Sequence, residues 1–205
     1  TNPYKLGSPP DFGTLYSGRA LEFDGVADYV TIGRPVLGSS FTYSAWIKPD
    51  STSVTGHIIS NYYGDGDETY LLQSSQALIF QLYISSETQL TSSNVLKAGI
   101  WHHVVAVYDS GATHKIYVDG VEVASGTAPT GSISINGDTN IGVRYAGAGD
   151  CFNGNITNVQ IWDKAWSESD VRYAYLNPEK LITDNNSVTS GTTISNLKAW
   201  YPMTE

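Results

Sequence analysis

The stretch Trp101-His102-His103-Val104-Val105-Ala106-Val107-Tyr108-Asp109-Ser110-Gly111-Ala112-Thr113-His114-Lys115-Ile116-Tyr117-Val118-Asp119-Gly120-Val121-Glu122-Val123 decides the fold. Val104, Ala106 and Tyr108 recur at every second position, and Ile116 and Val118 repeat that period beyond the turn at Ser110-Gly111. A period of two places those side chains on one face of a sheet and their neighbours on the other. Asp119-Gly120 then offers the positive φ of a tight turn, and Val121-Glu122-Val123 opens a third strand. Consecutive strands on short turns are the local pattern of an antiparallel sheet.

Outward from this hairpin, strand-like segments follow one another at 20–23, 29–32, 41–48, 57–61, 70–73, 78–84, 115–118, 132–135, 139–143 and 156–162. Asp24-Gly25, Asp65-Gly66, Asn136-Gly137 and Asn153-Gly154 punctuate them with the residues that hairpins need. One helix is expected over 167–176, opened by the capping-box pattern Ser167-Glu168-Ser169-Asp170 and stopped by Asn177-Pro178. The pattern predicts an all-β chain, a two-sheet antiparallel β-sandwich with one short helix. Residues 1–177 form the domain, with an irregular lead-in containing Pro3, Pro9 and Pro10; 178–196 form a polar linker; 197–205 form a terminal strand.

Composition narrows the function. A chain of 205 residues suits one domain, and 14 Tyr and 5 Trp supply large side chains for its core. The net charge of -9 and the scatter of the 11 basic residues argue against nucleic acid, whose phosphates need clustered Lys and Arg. No apolar run is long enough to insert across a membrane. The single cysteine, Cys151, excludes an internal disulfide and reads either as a small buried side chain or as an intermolecular link.

Four blocks then carry a resemblance. They are Ala20-Leu21-Glu22-Phe23-Asp24-Gly25-Val26-Ala27-Asp28-Tyr29-Val30-Thr31-Ile32-Gly33, then Phe41-Thr42-Tyr43-Ser44-Ala45-Trp46-Ile47-Lys48-Pro49, then Trp101-His102-His103-Val104-Val105 with Ile116-Tyr117-Val118-Asp119-Gly120. The last is Phe152-Asn153-Gly154-Asn155-Ile156-Thr157-Asn158-Val159-Gln160-Ile161-Trp162, running into Trp166-Ser167-Glu168-Ser169-Asp170-Val171. In this order they resemble the laminin-G-like, concanavalin A-like lectin and glucanase jelly-roll superfamily in its bacterial and viral form. The resemblance implies a concanavalin A-like jelly roll and an extracellular, cell-surface or virion-surface location. It also implies one calcium near the junction of the first and last blocks. Mapped residue by residue, the metal set is Asp24, the Gly25 carbonyl and Asp28, with Thr157 where the last block usually carries an Asp. Losing that charge lowers the expected affinity, because calcium draws on many oxygen ligands.

A second acidic cluster, Gly64-Asp65-Gly66-Asp67-Glu68, lies beside Tyr62, Tyr63 and Tyr70. Spaced carboxylates suit a hard cation or sugar hydroxyls, and tyrosine rings suit stacking on a pyranose. The competing reading is a solvated hairpin tip. Tyr62, Tyr63, Asp65, Asp67 and Tyr145 are the candidate ligand-binding residues. No catalytic residue is expected. Retaining glycoside cleavage needs two carboxyl groups about 5–5.5 Å apart, and no strand carries acids at the matching spacing. His102 and His103 point to opposite faces, so they cannot chelate one ion together.

Two roles follow: a non-catalytic module for adhesion or carbohydrate binding, or a structural subunit that assembles with its neighbours. Leu197-Lys198-Ala199-Trp200-Tyr201-Pro202-Met203 resembles the strand with which a family domain normally begins, yet here it comes last. It either completes its own sheet or adds to a neighbouring subunit, giving a homo-oligomer or filament. The partners are thus a glycan or neighbouring protein subunits.

Overall fold

The computed structural model describes residues 19–62, 64, 68–134, 136–146, 149–178, 180–184 and 191–203. In chain order the strands are β1 (Leu21–Asp24), β2 (Val30–Thr31), β3 (Ser40–Pro49), β4 (Thr55–Tyr62), β5 (Glu68–Ser74), β6 (Ala77–Tyr83) and β7 (Glu87–Thr91). They continue with β8 (His102–Asp109), β9 (Thr113–Val118), β10 (Val121–Thr127), β11 (Thr139–Ile141) and β12 (Asn153–Trp162). The helix α1 (Glu168–Leu176) and β13 (Leu197–Tyr201) follow.

Two antiparallel sheets stack. One runs β1-β12-β3-β8-β9-β10, with β13 also on β12; the other runs β2-β11-β4-β5-β6-β7. The decisive hairpin lies as expected, with Val104 opposite Val118, Ala106 opposite Ile116, and the turn at Asp119 (φ 52) and Gly120 (φ 80). Phe41, Tyr43, Ala45 and Ile47 of β3 face inward against Ile58, Ile59, Leu71, Phe80 and Leu82 of the opposite sheet. Phe80 meets Phe41 edge-on at 5.9 Å, the orientation favoured by ring quadrupoles. Each such side chain contributes roughly 1.5–3 kcal/mol on burial, and this shared layer holds the two sheets together.

Two expectations needed changing. Residues 132–134 form no strand; Ile133 is buried as a single anchor, its amide donating to the Gly38 carbonyl at 3.3 Å. An unforeseen strand, β7, edges the six-stranded sheet with only Leu90 packed on the core.

The outer face of the seven-stranded sheet is covered. Ser167 caps α1 and Asp170 completes the reciprocal bonds, as the sequence pattern predicted. Val171 and Ala174 of α1 pack with Trp162, Trp166, Val105, Val107 and Tyr117. Trp46 lies beneath Tyr175 of α1, the rings stacked at 5.9 Å and 16°. Trp101 joins Trp46 in the same small cluster, so both serve as packing anchors. Residues 178–196 are more than a connection, because Ile182 is buried in the cluster under α1.

β1 and β13 lie end to end along the same edge of β12, opposite 153–156 and 159–162. Between Thr157 and Gln160 the register against β3 shifts, with Asn158 in the left-handed region (φ 47), as a bulge requires. The Thr157 hydroxyl marks the seam, 2.9 Å from the Arg19 carbonyl and 2.8 Å from that of Pro202. Trp200 of β13 donates to Asn158 Oδ1 at 2.8 Å, and Asn158 also accepts from Gln160. Those bonds tie the last strand to its own chain's β12.

Candidate functional site

On the six-stranded sheet, residues that alternate with the core face outward. Register aligns Thr31, Asn140, Ser60, Tyr70, Gln81 and Gln89 in one row across all six strands. Gln81 sits between the core residues Phe80 and Leu82, so strand parity fixes its outward direction. This row is polar and internally bonded. Thr31 donates to Asn140 at 2.8 Å, Ser60 to the Arg144 carbonyl at 2.8 Å, and Gln89 to Gln81 Oε1 at 3.3 Å.

From the centre of the row a chain of bonds leads to one edge. The Tyr70 hydroxyl donates to Gln81 Oε1, and Gln81 Nε2 donates to Glu68 Oε1. Glu68 Oε2 accepts from Arg144 Nη2 at 3.0 Å. The Arg144 guanidinium carbon stands 4.4 Å from the centre of the Tyr62 ring, and Tyr145 stacks on Tyr62 at 5.0 Å and 21°. The Arg144 side chain is 34% exposed and that of Glu68 only 9%; Tyr145 is 42% exposed. A buried, saturated carboxylate therefore holds a half-buried guanidinium beside an open aromatic ring.

The segment after β11 brings Arg144 and Tyr145 here because it folds back over the sheet. A Cβ on Gly142 (φ +88) would lie 2.3 Å from the Phe23 ring, so the return path requires glycine. His57 then receives the segment: its amide donates to the Asp150 carbonyl at 3.0 Å, and its ring packs edge-on to Tyr70 at 4.9 Å. Burial drives the His57 pKa down to about 4, and burial, helped by Glu68, pushes Tyr70 up to about 12. Both side chains stay neutral near pH 7.

Of the expected ligand-binding residues, the structure brings Tyr62 and Tyr145 together; Tyr63, Asp65 and Asp67 lie outside the described residues. Glu68 was read only as part of the acidic cluster, and Arg144, Gln81 and Gln89 were missed. Gln81, set inside the otherwise apolar run Ala77–Tyr83, was the available signal on β6, while Arg144 is one of 11 scattered basic residues.

The metal candidates are not brought into one set. Asp24 Oδ1 accepts from the amides of Val26 at 2.7 Å and Ala27 at 3.0 Å, and Asp28 Oδ2 accepts from the Asp24 amide at 3.1 Å. These amide bonds, that of Ala27 first, hold the Asp24 carboxyl below its ordinary pKa. Gly25 belongs to the same turn, but Thr157 does not. It lies four residues along β12 from Asn153, the partner of Asp24, which is ~13 Å of strand. Its hydroxyl is engaged at the seam described above. Among the described residues no three His, Cys, Asp or Glu side chains could hold one ion. The turn is satisfied by its own backbone, and the four residues do not fit one calcium.

The remaining polar clusters are structural. His102 Nδ1 meets Asp119 at 2.8 Å, while its Nε2 accepts the Lys97 amide at 3.1 Å, leaving neither nitrogen for a substrate. Ser44 and His103 pair at 2.9 Å but are each 1% exposed, beneath α1. Among the described residues no helix is long and apolar enough to cross a membrane.

A family model described as the concanavalin A-like lectin/glucanases superfamily matches residues 24–172. The chain belongs to that superfamily. One sequence relative is the sushi, von Willebrand factor type A, EGF and pentraxin domain-containing protein 1 of Rattus norvegicus. It is 29% identical over 184 residues; the match takes in 82% of this chain but 5% of the relative's own length. Among solved structures, the superfamily fold recurs in a heptameric SAP-like pentraxin from Limulus polyphemus. There the TM-score is 0.62 at 22% identity, covering 75% of this chain and 80% of the other. Domain 4 of an extracellular GH43 arabinanase from Geobacillus stearothermophilus, in complex with arabinotriose, gives a TM-score of 0.64 at 19% identity, covering 77% of each chain.

Proposed function

We propose that this chain is a non-catalytic glycan-binding module of an extracellular protein. Sugar rings rest on Tyr145 at the outer face of the six-stranded sheet. The observation that carries this reading is the Tyr62–Tyr145 stack with Arg144 beside it, held by Glu68. An exposed ring face receives the apolar face of a pyranose or furanose, and a pre-positioned guanidinium donates to neighbouring hydroxyls. The polar row from Thr31 to Gln89, buried from Asn140 to Gln81, lies behind that surface and fixes it through Glu68. The arabinotriose complex of the arabinanase domain supports a sugar as ligand for this fold. The domain reading that goes with it is a single unit, in which β13 completes its own sheet along β12.

The test is a glycan array probed with the wild-type chain and with Tyr145→Ala. The wild type binds a subset of glycans, and the variant loses at least ten-fold in affinity for each, about 1.4 kcal/mol. An array with no bound glycan contradicts the reading.

A second reading, assembly by strand exchange, is favoured by one feature. β13 is a short edge strand of alternating exposure, with Trp200 39% exposed. A neighbour's copy could take its place on β12. Concentration-dependent mass of the chain, measured by light scattering, distinguishes the two: a fixed monomer supports self-completion, and growth with concentration supports exchange.

A further inference from the structure

We propose that the glycan site accepts uncharged sugars and rejects sialylated, uronic-acid-bearing and sulfated ones, and that Glu68 sets this choice. The inference rests on the reading that the Tyr62–Tyr145–Arg144 face binds glycans.

Among the described residues Arg144 is the cation beside Tyr62 and Tyr145, and its charge is already answered. Both Glu68 oxygens are committed, Oε1 to Gln81 and Oε2 to Arg144. Recognition of a carboxylate or sulfate by arginine works best with two parallel N–H bonds from one edge of the guanidinium. Here Nη2 donates to Glu68, and Nε is buried without a partner. The Nε–Nη2 edge is thereby closed to an incoming anion. The donors left on Nη1 belong to a charge that Glu68 already neutralises, which suits hydroxyl oxygens better than an anion.

The surrounding field points the same way. The charges bearing on Tyr70, at the middle of the row, are the carboxylates of Glu68, Glu87 and Asp150 against the one guanidinium of Arg144. A ligand carboxylate or sulfate therefore approaches a face of like sign and would lose hydration without gaining a counter-ion. A neutral ring loses nothing of the kind, since stacking and hydroxyl bonding need no charge.

The test uses an array of matched glycan pairs, each neutral oligosaccharide printed beside its sialylated, sulfated or uronic-acid counterpart, read at 50 and 500 mM NaCl. For every neutral glycan bound by the wild type, the acidic counterpart binds at least ten-fold more weakly at low salt. That gap narrows at high salt, where the like charges are screened. In Glu68→Gln, whose folding is checked by its melting curve, the freed Arg144 charge shrinks the low-salt gap at least ten-fold. Acidic glycans bound as well as or better than their neutral partners by the wild type would overturn the inference while leaving glycan binding intact. An array on which nothing binds would overturn the underlying reading as well.

Discussion

The two outer faces of this sandwich are built from the same alternation and end in opposite roles. On the seven-stranded sheet, outward residues are large and aromatic (Trp46, Tyr117, Trp162), and α1 closes over them with Trp166, Val171 and Tyr175. On the six-stranded sheet, outward residues are Asn140, Ser60, Tyr70, Gln81 and Gln89, bonded to one another and to a returning backbone segment. An apolar outer face must be covered, because leaving it in water costs the burial free energy of each ring. A polar face whose donors and acceptors are satisfied can be covered by a backbone segment instead: Asn140, Ser60, Tyr70 and Gln81 are buried, while Tyr145 on the returning segment reaches solvent. The helix thus marks the structural side, and on the other side the exposed ring of Tyr145 and the half-buried Arg144 are the surface offered to a ligand.

The comparison is broken most strongly by removing what the helix covers. Trp46→Ala leaves a ring-sized cavity beneath Tyr175 and should destabilise the fold by about 3–5 kcal/mol in urea unfolding. A loss below about 1 kcal/mol would mean that α1 is not packed as described. Acid acts on both faces. His103 under α1 and His57 under the returning segment are each held near 4 by burial, against an ordinary 6.5. The unfolded chain takes up protons below about 6.5 that the folded form refuses. Stability is therefore complete above that pH and lost as pH falls towards 4, by up to roughly 3 kcal/mol per histidine. Urea midpoints at pH 7 and pH 4.5 check this, and His103→Gln should flatten the slope. Equal midpoints would contradict the buried, neutral state.

Smaller effects sharpen the contrast. Tyr145→Ala should change stability by less than about 0.5 kcal/mol, as expected for an exposed side chain, while removing glycan binding. Smallest of all is the effect of a chelator. Because the Asp24–Asp28 turn is satisfied by its own amides, EDTA should shift the melting temperature by less than ~1 °C, equivalent to a few tenths of a kcal/mol. A shift of several degrees would show that an ion completes the turn.

The core was legible because β3, β8 and β9 carry inward residues at a strict period of two, the last two bounded by the Ser110-Gly111 and Asp119-Gly120 turns. Helix α1 was legible from its cap and its Asn177-Pro178 stop. Edges were harder to read. Glu87-Thr88-Gln89-Leu90-Thr91 has one apolar residue and belongs to the sheet through its ladder to β6. Ser132-Ile133-Ser134 alternates like a strand, yet Ile133 is only a plug for the core. The candidate site was half visible. Tyr62 and Tyr145 were singled out as aromatic platforms, but Arg144 and Glu68 meet across 76 residues of chain. Sequence spacing holds no trace of such a contact. The Asp24, Asp28 and Thr157 grouping failed to assemble for a related reason: adjacent blocks of a motif need not meet at one point of a strand.

The measurement that tests the central claim most directly is a titration of the isotope-labelled chain with a glycan selected on the array, followed by amide and side-chain NMR shifts. The account predicts that the largest changes fall on Tyr62, Glu68, Gln81, Arg144 and Tyr145, with Arg172 and Tyr175 on the helix side unmoved. Shifts clustered around α1, with the Tyr62–Tyr145 face silent, would contradict it.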